Sequence, residues 1–224
     1  MSDVFLQGKF ASLRPPDIEA DVLSGSWHSW FNNKRVTKYL DQGVFPNTKE
    51  SQTQFVNSII GDSTRILLCI DDNESKTHTG VIQLHSIDLI NGTGEITLVI
   101  GEQRYHPALP IESMALLIDH AFNRLNLRRI SSGQLVDLWP WVNILEIIGF
   151  KIEGYARQCK TRNGRTIDGL FTSVLREDFQ RLVEERGGDI LPENIVTMIS
   201  KKSRQPSCTD KIKLFFEDLY KDRF

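Results

Sequence analysis

The groups in this 224-residue sequence that could move a proton are few and widely spaced. Glu95 opens the run GEITLVI, His85 lies within VIQLHSIDLI, His106 within RYHPALPIES, His120 in the apolar run behind it, and Tyr155 follows Gly154. Carboxylates and imidazoles take protons near neutral pH and a phenol can return one, so these types suit general acid–base work. A single histidine inside an apolar element is as a rule packed and hydrogen-bonded, and that is the competing reading for His85 and His120. His106 sits in a loop, where an imidazole can meet a phosphate or a substrate acid. Cys69, Cys159 and Cys208 are far apart, odd in number and without C-x-x-C spacing, so neither a disulfide framework nor a zinc site is indicated, and no metal is expected.

Local patterns indicate which elements hold these groups. KFASLR (9–14) alternates as a first strand closed by Pro15 and Pro16. DIEADVLSGSWHSWFNN and TKESQTQFVNSII carry apolar residues at helical spacing, the second opened by Thr48 with Ser51 in its first turn. RILLCIDD (65–72) and VIQLHSIDLI (81–90) read as strands, and Asn91, Gly92 and Gly94 turn the second into a hairpin over 81–100. Ile111, Met114, Ile118, Ala121, Phe122 and Leu125 then share one helical face. Pro110 at the first helical position, with Glu112 two residues on, is a sound helix start. RRISSGQLV is a further strand, WVNILEIIGF a helix ending at Gly149, and 151–159 with 167–175 a closing pair of strands around TRNGRT. The order βααβββαβαββ predicts an α/β (α+β) domain, a mixed and mostly antiparallel sheet with helices on both faces. In the remainder, Ile212, Phe215, Phe216 and Leu219 form one helical stripe capped by Ser207 or Thr209, suited to docking on the domain or on a partner.

Composition narrows the partners. Apolar residues make up 40% and charged residues 25%, and the formal charge is −2 with lysine and arginine scattered. That gives no footprint for nucleic acid or an anionic membrane. No run reaches the roughly 18–20 apolar residues of a membrane span, and MSDVFLQGKF lacks the regions of a signal peptide, so a cytoplasmic protein is expected.

SWFNNKRVTKYLDQGVFPNT, GVIQLHSIDLINGTGEITLVIG, LLIDHAFNRLNLRRI and ILEIIGFKIEGYARQ, in this order, resemble the GNAT superfamily of acyl-CoA-dependent N-acetyltransferases. The likeness is greatest to the branch acting on protein N-termini, antibiotics and nucleotide-sugar amines. It implies a GNAT-like domain over 1–179 and a helical extension over 180–224. It implies acetyl-CoA or another acyl-CoA as co-substrate, a small-molecule amine or nucleotide-sugar acceptor, and a homodimer as one possible assembly. The strand matching GEITLVIG is expected to splay from its neighbour and pair with the pantetheine arm through Leu98, Val99 and Ile100, the N–H of Val99 or Ile100 polarising the thioester carbonyl. The loop that follows, with Arg104, His106, Ala108 and Leu109, is expected to meet the pyrophosphate at a helix N-terminus. Glu95 is implied as the base, the competing reading being a solvated strand-end carboxylate. Tyr155 is the candidate acid. Trp30, Asn33, Tyr39, His85 and Trp141 are expected to line the acceptor site.

The sequence also departs from the family pattern Q/R-x-x-G-x-G/A. Arg104 matches its first position, Pro107 and Leu109 stand at the glycines, and two prolines remove two amide donors. Leu138 and Leu145 replace a customary asparagine and tyrosine, and Trp139, Pro140 and Trp141 add bulk. A binding or scaffold protein of the same fold, or an enzyme using a different acyl carrier, therefore stay open beside the acetyltransferase.

Overall fold

The β-branched and aliphatic runs in the first half of the chain build the middle of one eight-stranded sheet. The computed structural model describes residues 3–162 and 164–221; Asn163 of the expected turn and the last three residues lie outside these. In chain order the strands are β1 (Leu6–Gln7), β2 (Ala11–Arg14), β3 (Ile66–Asp72), β4 (His78–Asp88), β5 (Thr93–Ile100), β6 (Arg129–Leu135), β7 (Lys151–Arg162) and β8 (Arg165–Leu175). They lie in the order β1-β2-β3-β4-β5-β6-β8-β7, and β5–β6 is the parallel pair among antiparallel ones. The expected hairpin is present. Asp88 holds its turn by accepting from the N–H groups of Ile90 and Asn91, each at 2.9 Å, and Gly92 takes the left-handed backbone (φ 66°) the turn needs.

The helices follow their local signals with one exception. Residues 17–33 do not form one helix: a six-residue π-helix, Ile18–Leu23, is followed by a single turn, α1 (Trp27–Trp30). The interruption falls at Ser24–Ser26, where Gly25 packs so closely that a Cβ would lie 2.4 Å from the Asp21 carbonyl oxygen, while the Asp21 carboxylate turns inward to take both terminal nitrogens of Arg14 at 2.8 and 2.7 Å. α2 (Lys49–Ile59) begins with the reciprocal Thr48–Ser51 capping box. α3 (Leu109–Asn123) starts one residue before Pro110. α4 (Trp139–Leu145) begins two residues earlier than expected, and the segment ends at Gly149 with φ 91°.

Two apolar clusters flank the sheet. On one face Leu68, Ile70, Ile82, Leu84, Ile96 and Ile130 pack against α3 residues such as Met114, Ile118 and Phe122. On the other, Leu67, Cys69 and Val81 pack against Val56 and Ile59 of α2 and against Trp27 and Trp30. α5 (Arg176–Glu185) runs across the expected boundary at residue 180 and contributes Phe179 to the α3-side core. α6 (Ile195–Ser203) adds Ile195 to that core, and Asn143 of α4 donates to the carbonyls of Lys202 and Gln205. α7 (Thr209–Lys221) is capped by Ser207, which accepts from Thr209 N–H at 3.0 Å; Ile212 and Phe216 are half-buried while Leu214, Phe215 and Leu219 are exposed.

Candidate active site

The parallel pair is short. β5 and β6 align only over Thr93–Glu95 with Arg129–Ser131, although β5 continues to Ile100 and β6 to Leu135. β4 holds β5 through Ile100 and β8 holds β6 through Leu135, so each strand is fixed on its outer side while the two diverge. The gap has a strand edge with unspent groups. Gly101 N–H goes to the Thr79 carbonyl at 3.0 Å, so by the two-residue alternation of a strand the N–H of Val99 also aims at β4. The Gly92 carbonyl accepts from Arg128 N–H at 2.6 Å and the Gly94 carbonyl from the Ser131 hydroxyl at 3.3 Å, so even-numbered residues face β6. Leu98 and Ile100 continue that phase and present N–H and C=O to the gap. The expectation for Val99 is corrected accordingly: its backbone belongs to the β4 ladder and its side chain packs on the α2 side.

Glu95 stands at the vertex, in register with Ser131 on one side and His85 on the other. Paired residues share a face, so these three side chains lie together on the α2 face of the sheet. Glu95 is half-exposed and makes no hydrogen bond or ion pair among the described residues. His85 is half-buried, with Nδ1 3.2 Å from the Ser86 hydroxyl. Beyond them Arg129, Glu153 and Ser173 form a closed polar group: Arg129 donates to Glu153 and to Ser173, and Ser173 donates to Glu153 at 2.6 Å. The Arg129 hydrogen bonds hold the Glu153 carboxyl down to about pH 2, against the opposing effect of partial burial.

Tyr155 is not brought to Glu95. It pairs with Leu170, which pairs with Gln134, on the α3 face of the sheet. Its hydroxyl donates to the Asp168 carboxylate. Burial and that carboxylate both push its pKa up, which makes it a poor acid here.

The expected phosphate corner is closed. His106 N–H donates to Asp72 at 3.0 Å, Ala108 N–H to Nδ1 of His106 at 3.2 Å, and Leu109 N–H to the His106 carbonyl at 2.9 Å. Pro107 and Pro110 have no N–H to offer. The His106 ring is stacked on Phe10 at 4.0 Å, which fixes it within the corner. Glu112 turns away to accept from the N–H groups of Lys9, Phe10 and Ala11 at 2.9, 2.6 and 2.7 Å. Arg104 is exposed and free of any partner among the described residues. A pantetheine arm thus fits the chain at Leu98 and Ile100, whereas a pyrophosphate finds no amide cradle at the start of α3 and has Arg104 of the loop, with Lys9 over the Phe10 ring, as nearby cations.

The acceptor-side expectations divide. Trp30 is buried, its ring so close to Gly101 that a Cβ there would lie 1.9 Å from it, and its N–H donates to Glu102 at 3.0 Å. It is a packing residue, and the same holds for Trp141, half-buried against the α3-side core. Asn33 is exposed and its side-chain Oδ1 accepts from Arg35 N–H at 3.0 Å, shaping a turn. That turn lets Arg35 donate to the Gly101 carbonyl at 2.7 Å. Asp41 then meets Lys160 and Arg162 of β7. The segment from Arg35 to Asp41 therefore crosses from the end of β5 to the β7–β8 hairpin. Beneath it Tyr39, Lys38, Asp137, Arg162, Arg165 and Thr166 line a cavity of about 660 Å³. Sequence reasoning missed Ser131, the Arg35–Gly101 bond and the Asp41 clasp, because each depends on register between distant segments.

One further polar group was not anticipated. Asp21, Cys69 and His78 bring ligand atoms within 4.8 Å of one another. Arg14 already takes both Asp21 oxygens, and burial together with the Asp21 charge pushes the Cys69 thiol well up, which keeps it protonated. These donors fit a buried ion pair better than a cation site.

A mostly antiparallel sheet with one diverging parallel pair and a free strand edge in the gap is the architecture of the GNAT class. Residues 12–151 match the acetyltransferase (GNAT) domain model, and the chain belongs to that family. It is 28% identical over 173 residues to the uncharacterized N-acetyltransferase p20 of Bacillus licheniformis, covering 75% of this chain and 94% of the relative. Among solved structures it is similar in fold to spermidine N-acetyltransferase from Vibrio cholerae in complex with CoA and spermine, with TM-score 0.69, 21% identity and coverage of 77% and 99%. A GCN5-related N-acetyltransferase from Brucella melitensis matches with TM-score 0.68 and 20% identity, covering 89% of this chain and 95% of its own. No helix among the described residues is long and apolar enough to cross a membrane.

Proposed function

We propose that the chain transfers an acetyl group from acetyl-CoA to a primary amine of a small molecule. The observation that carries this reading is the unpartnered Glu95 carboxylate at the point where β5 and β6 separate. Acetyl-CoA supplies an acyl group on a thioester. The backbone of Leu98 and Ile100 holds and aligns the arm that carries it, and one of their N–H groups is aimed to stabilise charge on the carbonyl oxygen. Glu95 takes a proton from the acceptor ammonium, directly or through a water, on the open α2 face; the freed amine forms the C–N bond as the thioester C–S bond breaks, and the departing CoA thiolate takes up the second amine proton. A nucleotide-linked amino sugar is the acceptor we favour. Lys38 over the ring of Tyr39, with Arg165 lining the same cavity, offers cations and a stacking surface for its nucleotide part.

A second reading, in which the acyl group comes from another pantetheine carrier, rests on the closed start of α3. Calorimetric titration of acetyl-CoA into the protein tests the first: heat is expected below about 1 mM ligand. Absence of heat at that concentration removes acetyl-CoA as the donor and leaves the second reading.

A further inference from the structure

Gly133 of β6 is a glycine without a local reason. Its backbone is outside the left-handed region, and nothing lies within 4 Å of the place a Cβ would occupy. Glycine inside a strand costs stability, and an exposed one that neither conformation nor packing requires suits the close approach of a ligand. Its neighbour in register on β8 is Phe171, which pairs on its other side with Gly154. Phe171 is 57% exposed although β8 is an interior strand. The ring leans over Gly154, 3.3 Å from that residue's Cβ position, and leaves the space above Gly133 open. Gly133 lies two residues, about 7 Å, beyond Ser131 on the same sheet face as Glu95. The cleared floor therefore borders the gap on one side and an aromatic wall on the other.

We propose that Gly133 and Phe171 form the acceptor subsite and that it takes a primary amine borne on a ring with an apolar face, the ring lying over Gly133 against Phe171 and the amine directed to Glu95. The inference rests on the acetyltransferase reading for the direction of the amine. A flexible linear polyamine would gain nothing from a flat floor and an exposed ring, whereas a pyranose or aromatic ring has a face to lay on each.

The test uses the full chain with acetyl-CoA and three probes: D-glucosamine, tyramine and spermidine. One of the two ring amines is expected to exceed spermidine in kcat/KM by tenfold or more, and which one distinguishes a sugar from an aromatic acceptor. Gly133→Val fills the empty space and should fold normally; it is expected to lower kcat/KM for the ring amine at least tenfold while the acetyl-CoA Kd changes less than twofold. Phe171→Ala should raise KM more than it lowers kcat. Binding is read separately by saturation-transfer NMR with each ring amine. Ring binding that Gly133→Val abolishes, without any turnover, upholds the subsite and overturns the acetyltransferase reading. Turnover that neither variant alters by twofold, a preference for spermidine, or no binding of either ring overturns the subsite.

Discussion

The edge of β5 and the mouth of α3 are the two places where the fold could hold an acyl donor, and they differ in what their amides are doing. At Leu98 and Ile100 the N–H groups face a gap with no strand opposite. At His106, Ala108 and Leu109 each N–H already has an internal acceptor, and two neighbouring positions are proline. Family membership alone would predict both sites equipped. We infer from the contrast that donor recognition rests on the arm rather than on the phosphates, because an amide bound within the protein must break that bond before it can serve a ligand.

The largest effect expected from breaking this contrast is at Glu112, whose buried carboxylate ties the start of α3 to the β1–β2 turn. Glu112→Ala leaves three N–H groups without their acceptor and should cost about 3 kcal/mol or more of stability, read from urea denaturation midpoints. A loss below about 1 kcal/mol would mean that the turn does not depend on it. On the β5 side, Glu95→Gln is expected to lower kcat by about a hundredfold with KM for acetyl-CoA within a few fold; equal turnover would make Glu95 structural.

A sharper comparison comes from trimming the donor. With a working phosphate cradle, two amide bonds to a charged group, worth about 1.5–3 kcal/mol each, would separate acetyl-CoA from S-acetylpantetheine by a hundredfold or more. Here the kcat/KM ratio of the two donors is expected to stay under about tenfold, and a hundredfold preference for acetyl-CoA would show that the corner opens in solution. The smallest effect belongs to Arg104→Ala. An exposed single cation should contribute about a threefold change in acetyl-CoA Kd, shrinking as salt rises, and no change would remove it from the site.

Much of the fold is legible locally. The Thr48–Ser51 box, the turn at Asn91 and Gly92, the stop at Gly149 and the stripe on α3 each arise from residues within a few positions of one another. The segment 17–33 was less legible, since its helical spacing does not show the interruption at Ser24–Ser26 or the inward pairing of Asp21 with Arg14. Of the candidate site, the strand that carries Glu95, Leu98 and Ile100 was legible from its own pattern, whereas the direction of the Val99 backbone needed the phase of the β4 ladder and that of Tyr155 the face of β7.

The sequence by itself determined the elements, their order and the two missing amides at Pro107 and Pro110, because periodicity, capping and proline act over a few residues. Tertiary structure alone decided where β5 leaves β6, that His106 and Asp72 consume the remaining amides, and that Gly133 and Phe171 stand side by side facing Glu95's side of the sheet. Those facts are matters of register between segments some 30 to 40 residues apart, and register is fixed by the packing of both faces of the whole sheet at once.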